Sequence, residues 1–143
     1  MENCPICEKH KAIDVPLYED EHWVITAGPL ASQLLGYLYI EPKRHVENWS
    51  EFRNEELMTM GSLIKKCEKS LKELMDVDRI YTVTISEAVR HLHIHIVPRV
   101  VDKDTRGLEL IKQATTSEVT FENTISLSSY KEFYEQLGEI LYS

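Results

Sequence analysis

Short apolar runs broken by polar residues occupy the first part of this chain, and an apolar period of three to four takes over in the middle. Strand-like pieces stand at about residues 15–18 and 22–26, with Glu19-Asp20-Glu21 as the turn between them. Gly28-Pro29 breaks the pattern, and Gly36 opens a new alternating strand, Tyr37-Leu38-Tyr39-Ile40, that stops at Pro42. Leu57, Met60, Ile64, Cys67, Leu71 and Leu74 then form one apolar stripe, which predicts a helix over about residues 54–75. Asn54 suits its N-cap, and Glu55 and Glu56 suit the positive end of its dipole. Cys67 lies on the stripe and reads as a core residue rather than a reactive thiol. The β-branched run 80–85 predicts a strand, and a short connection, 86–90, leads to the next extended run. Strands so closely joined predict an antiparallel hairpin. The tail predicts a short helix at about 108–113 and a longer one at 129–142. In the longer helix Ser129 and Glu132 fit a capping box, and Tyr130, Phe133, Tyr134, Leu137 and Leu141 form the apolar face. The fold class expected from this order is α+β: a mainly antiparallel sheet, one long helix and a C-terminal helix.

The second strand of the hairpin holds the chemistry. It reads His91-Leu92-His93-Ile94-His95-Ile96-Val97. A strand sends alternate side chains to opposite faces, so it would put three imidazoles on one side and Leu92, Ile94 and Ile96 in the core. A helix would scatter the rings at steps of about 200° and leave no coherent apolar face. Three imidazoles at one surface suit phosphate chemistry or metal binding.

Composition narrows the setting. With 143 residues, 43% of them hydrophobic, a single domain spanning 1–143 is expected. No apolar run is long enough for a bilayer, so no membrane partner is expected. The opening Met-Glu-Asn-Cys has no export-signal layout, and three cysteines do not make a secreted disulfide framework. Cytoplasmic localisation follows as the expectation. A net charge of -8 argues against nucleic acid as a partner. A nucleotide needs only a local positive patch, and Lys43, Arg44 and Arg99 lie close in sequence to the histidine-bearing segments.

Cys4 and Cys7 form a compact chelating pair. A lone pair at this spacing is open to zinc, redox and chance. A redox pair would normally open a helix after a strand, and no strand precedes Cys4. Zinc requires further ligands, for which His45 and one member of the histidine run are the candidates. His10 and His22 show no partner pattern and are expected at the surface.

Taken together, these segments resemble the histidine triad (HIT) superfamily, whose signature alternates three histidines with apolar residues and ends in two apolar residues. His91 to Val97 fits every position, and Pro98-Arg99 extends the match. Upstream, Gly36 to Ile40, followed by Glu41-Pro42-Lys43-Arg44-His45, resembles the family's second block. The motif-supported part is 4–99, with 100–143 as a C-terminal extension. The resemblance implies a HIT-like fold, commonly a homodimer, and attack on a nucleotide α-phosphate. Some members carry an N-terminal cysteine pair, as galactose-1-phosphate uridylyltransferases do. There the ligand set carries over as Cys4, Cys7, His45 and His91, around a structural zinc. The resemblance makes His93 the nucleophile. His95 would bind phosphate oxygens and protonate the leaving group, with Lys43 and Arg99 as further substrate contacts. The implied substrate is a nucleotide conjugate, either a dinucleoside polyphosphate or a nucleoside phosphoramidate.

Three positions depart from that pattern. Glu87 and Ala88 stand where many members have glutamine and serine against the phosphate, and Tyr37 stands where a histidine is usual. No carboxylate lies near Pro29 for ribose hydroxyls. Two other readings therefore stand beside a nucleotide hydrolase or transferase. One is a zinc-stabilised nucleotide-binding or regulatory module with little turnover. The other is a catalytic metal held by the triad itself.

Overall fold

In the computed structural model, which describes residues 3–13, 15–116 and 124–143, five strands form one antiparallel sheet. They are β1 (Tyr18–Glu19), β2 (Trp23–Ala27), β3 (Leu38–Pro42), β4 (Val77–Val83) and β5 (Ile94–Val100), in the order β1-β2-β3-β5-β4. The helices are α1 (Pro5–Ala12), α2 (Asn54–Met58), α3 (Met60–Leu74), α4 (Leu108–Thr115) and α5 (Leu127–Tyr142). The expected α+β class and the β4–β5 hairpin are both present. Among the described residues no helix is long and apolar enough to cross a membrane.

Alternation assigns the two faces of the sheet. Trp23 and Ile25 of β2, Leu38 and Ile40 of β3, and Ile94 and Ile96 of β5 share one core with α3 and α5. Leu63, Cys67 and Leu71 bring the α3 stripe into it, and Tyr134, Leu137 and Leu141 bring α5. Cys67 is fully buried there, and burial pushes its thiol up to about 12. The opposite face carries Tyr37, Tyr39, His95 and Val97, with Leu110 and Ala114 of α4 packed on Tyr37 and Val97.

The long stripe does not form one continuous helix. It is divided at Thr59 into α2 and α3, and Arg53 rather than Asn54 occupies the N-cap. The cause is tertiary. The buried Trp23 indole N–H donates to the Glu56 carbonyl at 2.9 Å, and the Thr59 hydroxyl approaches the same oxygen. A carbonyl engaged in this way leaves the i to i+4 ladder, and a threonine hydroxyl eases the break. The Glu56 carboxylate accepts from Arg53 N–H at 2.8 Å and pairs with Arg44, which ties the start of α2 to the loop after β3. α5 begins two residues earlier than the periodicity indicates, with Ser126 Oγ accepting from Ser129 N–H as its cap.

The histidine run is only partly strand. β5 begins at Ile94, so His91 and His93 lie in the extended segment that leads into it. Leu92 N–H donates to the Val46 carbonyl at 2.7 Å, which pairs this lead-in with the loop after β3 rather than with β3. Of the three histidines only His95 therefore lies within the strand itself.

Gly28 is required by close approach. A Cβ there would stand 2.6 Å from Tyr37 Cγ, inside the fully buried tyrosine ring. Gly28→Ala is expected to displace Tyr37 and to destabilise the protein by about 1–3 kcal/mol. Chemical denaturation of the variant beside the wild type measures this.

Candidate functional site

The site is built where three segments meet: α1, the loop after β3, and the lead-in to β5. Cys4 caps α1, with its sulfur accepting from Cys7 N–H at 3.4 Å, and Pro5 at the first helical position suits that start. One helical turn therefore puts both thiols on the same side. His45 follows β3 and His91 precedes β5, and the four donor atoms of Cys4, Cys7, His45 and His91 all lie within 4.8 Å of one another.

The chemistry of this donor set can be tested against a metal. Tetrahedral zinc with bonds of about 2.3 Å to sulfur and about 2.0 Å to nitrogen has sulfur–nitrogen edges of about 3.5 Å. The separations Cys4 Sγ–His91 Nδ1, Cys7 Sγ–His45 Nδ1 and Cys7 Sγ–His91 Nδ1 are each 3.5 Å. Each imidazole is also held from behind. His91 Nε2 lies 2.8 Å from the Pro42 carbonyl, and His45 Nε2 lies 3.1 Å from Glu47 Oε2. Both acceptors require the proton on Nε2 and turn the Nδ1 lone pair toward the sulfurs. Burial lowers His91 to about 4, so its ring is neutral. Burial and the adjacent Cys4 thiol raise Cys7, and a dication would reverse this by favouring the thiolate. The four residues fit zinc.

His93 and His95 stand beside this cluster, with ring centroids 4.8 Å apart. His93 Nδ1 lies 2.8 Å from the His91 carbonyl, which fixes the proton on Nδ1 and leaves the Nε2 lone pair unengaged. His95 Nδ1 lies 2.6 Å from the Tyr37 hydroxyl. Burial, followed by the effect of the neighbouring His93, lowers His95 to about 4. Burial pushes the Tyr37 hydroxyl far above the usual phenol range, so it keeps its proton. The Tyr39 ring stands edge-on to both histidines, at 5.8 Å from His93 and 5.3 Å from His95.

Several of these partners were not marked by any motif. Tyr37 reads in the sequence only as a departure, yet it holds His95. Glu41 reads as a strand residue, yet it is 1% exposed and joined to Lys9 and to His10 Nε2. Burial alone would raise the Glu41 carboxyl, but His10 and Lys9 outweigh it and hold the carboxyl below its usual range. His10 is thus no free surface residue: it and Lys9 dock α1 onto β3. The signal for this pair was a carboxylate in an otherwise apolar strand, which requires a partner.

Lys43 and Arg99 sit differently. Lys43 Nζ pairs with Glu19 at 2.9 Å, and Arg99 pairs with Asp78 on β4. Among the described residues no hydrogen bond or ion pair joins either one to His93 or His95. Arg99 Nε is buried with no hydrogen-bond partner. Glu87 is turned to an exposed pairing with Arg90 at 3.5 Å.

Comparison with known proteins gives the same picture. The HIT domain family model matches residues 10–101. The protein hit of Bacillus subtilis is 30% identical over 106 residues, covering 68% of this chain and 72% of the relative. A crystal structure from Bartonella henselae, described as a HIT-like protein involved in cell-cycle regulation with an unknown ligand, is similar in fold. Its TM-score is 0.71 at 20% identity, covering 98% of this chain and 97% of the other. A zinc-bound histidine triad family protein from Mycobacterium smegmatis has a TM-score of 0.68 at 18% identity, covering 98% and 94%.

The His95 environment sets a pH dependence. Its folded value of about 4 lies below the unfolded value near 6.5, so the neutral ring is the form that folding favours. The stability it contributes is complete above pH 6.5 and drains as pH falls toward about 4, a loss on the order of 3 kcal/mol. Denaturation between pH 7 and 4 is expected to show a shallower loss for His95→Asn than for the wild type.

Proposed function

This chain belongs to the HIT domain family, and on that premise we propose that it cleaves a nucleotide conjugate at its α-phosphate through a nucleotidyl intermediate on His93. The observation that carries the reading is the hydrogen bond from His93 Nδ1 to the His91 carbonyl, with Nε2 left free beside His95. A neutral imidazole held in this way is a competent nucleophile near pH 7.

In the first step the Nε2 lone pair forms a bond to phosphorus. The bond from phosphorus to the leaving group breaks, its electron pair departs with that group, and a proton from solvent completes the departing amine or phosphate. The His93 ring becomes cationic, and its Nδ1–H bond to the carbonyl strengthens as the charge develops. In the second step the oxygen of water bonds to phosphorus, the electron pair of the P–N bond returns to Nε2, and the spare proton of the water passes to solvent. A nucleoside monophosphate is released.

His95 acts as a neutral partner. The Tyr37 hydroxyl donates to Nδ1, so Nε2 carries the proton and donates to a phosphate oxygen as negative charge gathers there. This role stabilises charge without needing an imidazolium, which agrees with a ring lowered to about 4. Lys43 and Arg99 contribute positive charge near the site only by exchanging Glu19 and Asp78 for phosphate.

Cys4, Cys7, His45 and His91 hold a structural zinc in this account. A zinc ion held there would supply no chemistry to phosphorus; His91, as its ligand, would keep its ring and its carbonyl in position. The open edge of β4 suits a second copy of the chain, and a homodimer acting in the cytoplasm is the form proposed. A binding module with little turnover is the second reading. The observation favouring it is that Glu87 and Ala88 offer the phosphate no amide or hydroxyl.

His93→Ala is expected to abolish AMP release from adenosine phosphoramidate while leaving thermal unfolding near that of the wild type. Undiminished release would remove His93 from the mechanism. Metal analysis is expected to find about one zinc per chain, lost in the Cys4→Ser, Cys7→Ser protein; full retention would refute the ligand set.

A further inference from the structure

Between β4 and β5 the chain turns through residues 86–90, and all but two of these are fully at the surface: Glu87, Ala88 and Arg90 are exposed. Ser86, one of the two half-buried ones, has a φ of 53°, in the left-handed region that side chains with a Cβ rarely adopt. Among the described residues only Asn3 and Gln33 share this feature without being glycine. A serine has no intrinsic preference for that conformation, so something in the surroundings must hold it there.

The side chain shows what holds it. Ser86 Oγ accepts from the His93 backbone N–H at 3.2 Å and lies 3.3 Å from His93 Nδ1. A hydroxyl oxygen has two lone pairs, enough for both groups. The His91 carbonyl lies 2.8 Å from the same Nδ1. Two oxygens thus reach the His93 Nδ1: the carbonyl requires the proton there, and the hydroxyl oxygen can accept from the same N–H. The backbone contact also fixes where the ring is rooted. No other bond to His93 N–H is present among the described residues.

We propose that Ser86 is a positioning residue for His93, its hydroxyl oxygen clamping both the backbone N–H and the Nδ1 side of the ring so that Nε2 is presented outward. The inference rests on His93 being the nucleophile. It accounts for the left-handed serine: the conformation is what brings Oγ within reach of His93. Glycine at this position would enter the left-handed region more readily but would provide no oxygen.

Ser86→Gly separates the two roles, because it relieves the backbone while removing the clamp. In the zinc-loaded protein, amide hydrogen exchange at His93 is expected to accelerate about tenfold or more once its acceptor is gone. Nitrogen-15 spectra of the ring are expected to move from one tautomer toward a mixture. With adenosine phosphoramidate, kcat is expected to fall about tenfold, the scale of one hydrogen bond, with KM little changed. Thermal unfolding is expected to stay near that of the wild type. Unaltered exchange, a single tautomer and wild-type kcat in Ser86→Gly would overturn the proposal and leave Ser86 as a turn residue. The spectra require no turnover. A wild type that releases no AMP would refute the proposed reaction, while exchange and tautomer would still decide whether Ser86 clamps the ring.

Discussion

One residue, His91, connects everything that matters in this site. Its ring is shared between the sulfurs of α1 and the Pro42 carbonyl at the end of β3, and its own carbonyl holds His93 Nδ1. Each of these contacts depends on the others. The Pro42 carbonyl fixes the tautomer that turns Nδ1 toward the sulfurs, and the fixed ring keeps the His91 backbone where its oxygen meets His93. A metal bound by Cys4, Cys7, His45 and His91 would therefore act on the neighbouring ring through a single peptide carbonyl, with no contact to the substrate.

The rest of the fold keeps this arrangement rigid. The sheet hides Trp23, Ile25, Leu38, Ile40, Ile94 and Ile96 beneath α3 and α5, which pins β3 and β5 side by side. On the other face α4 covers Tyr37 and Val97, and Tyr37 in turn holds His95. α1 is docked by a charged contact, Lys9 and His10 on the buried Glu41. Buried ion pairs contribute little net stability because desolvation offsets their attraction. Their directionality is what this site uses: the helix that presents Cys4 and Cys7 is held in one orientation against the face that carries Tyr39 and His95.

Much of this could be read from the residues, and what could not has a common cause. The strand at Leu38–Pro42, the hairpin and the C-terminal helix follow from local patterning, which survives folding because it is the pattern of burial itself, whereas β1 falls at Tyr18–Glu19, partly in the expected turn. The four-donor cluster came from the family resemblance, and the structure brings all four together. The division of the long helix at Thr59 was not legible, because a tryptophan more than thirty residues earlier takes a carbonyl from its ladder. Neither was the late start of β5 legible. The run 91–97 reads as one strand, but the Val46 carbonyl takes Leu92 N–H and the strand begins only at Ile94. Tyr37, Glu41, His10 and Ser86 were missed as site residues for the same reason. Each acts through a partner distant in sequence or through a backbone angle, and no local pattern records either.

The central claim is that His93 presents Nε2 to phosphorus. Mass spectrometry of the wild-type protein, quenched without acid during turnover of adenosine phosphoramidate and then digested, tests it most directly. The account predicts an adenylyl group on the peptide containing His93, attached at that residue. Turnover with no protein-bound adenylyl group, or with the group on another side chain, would contradict it.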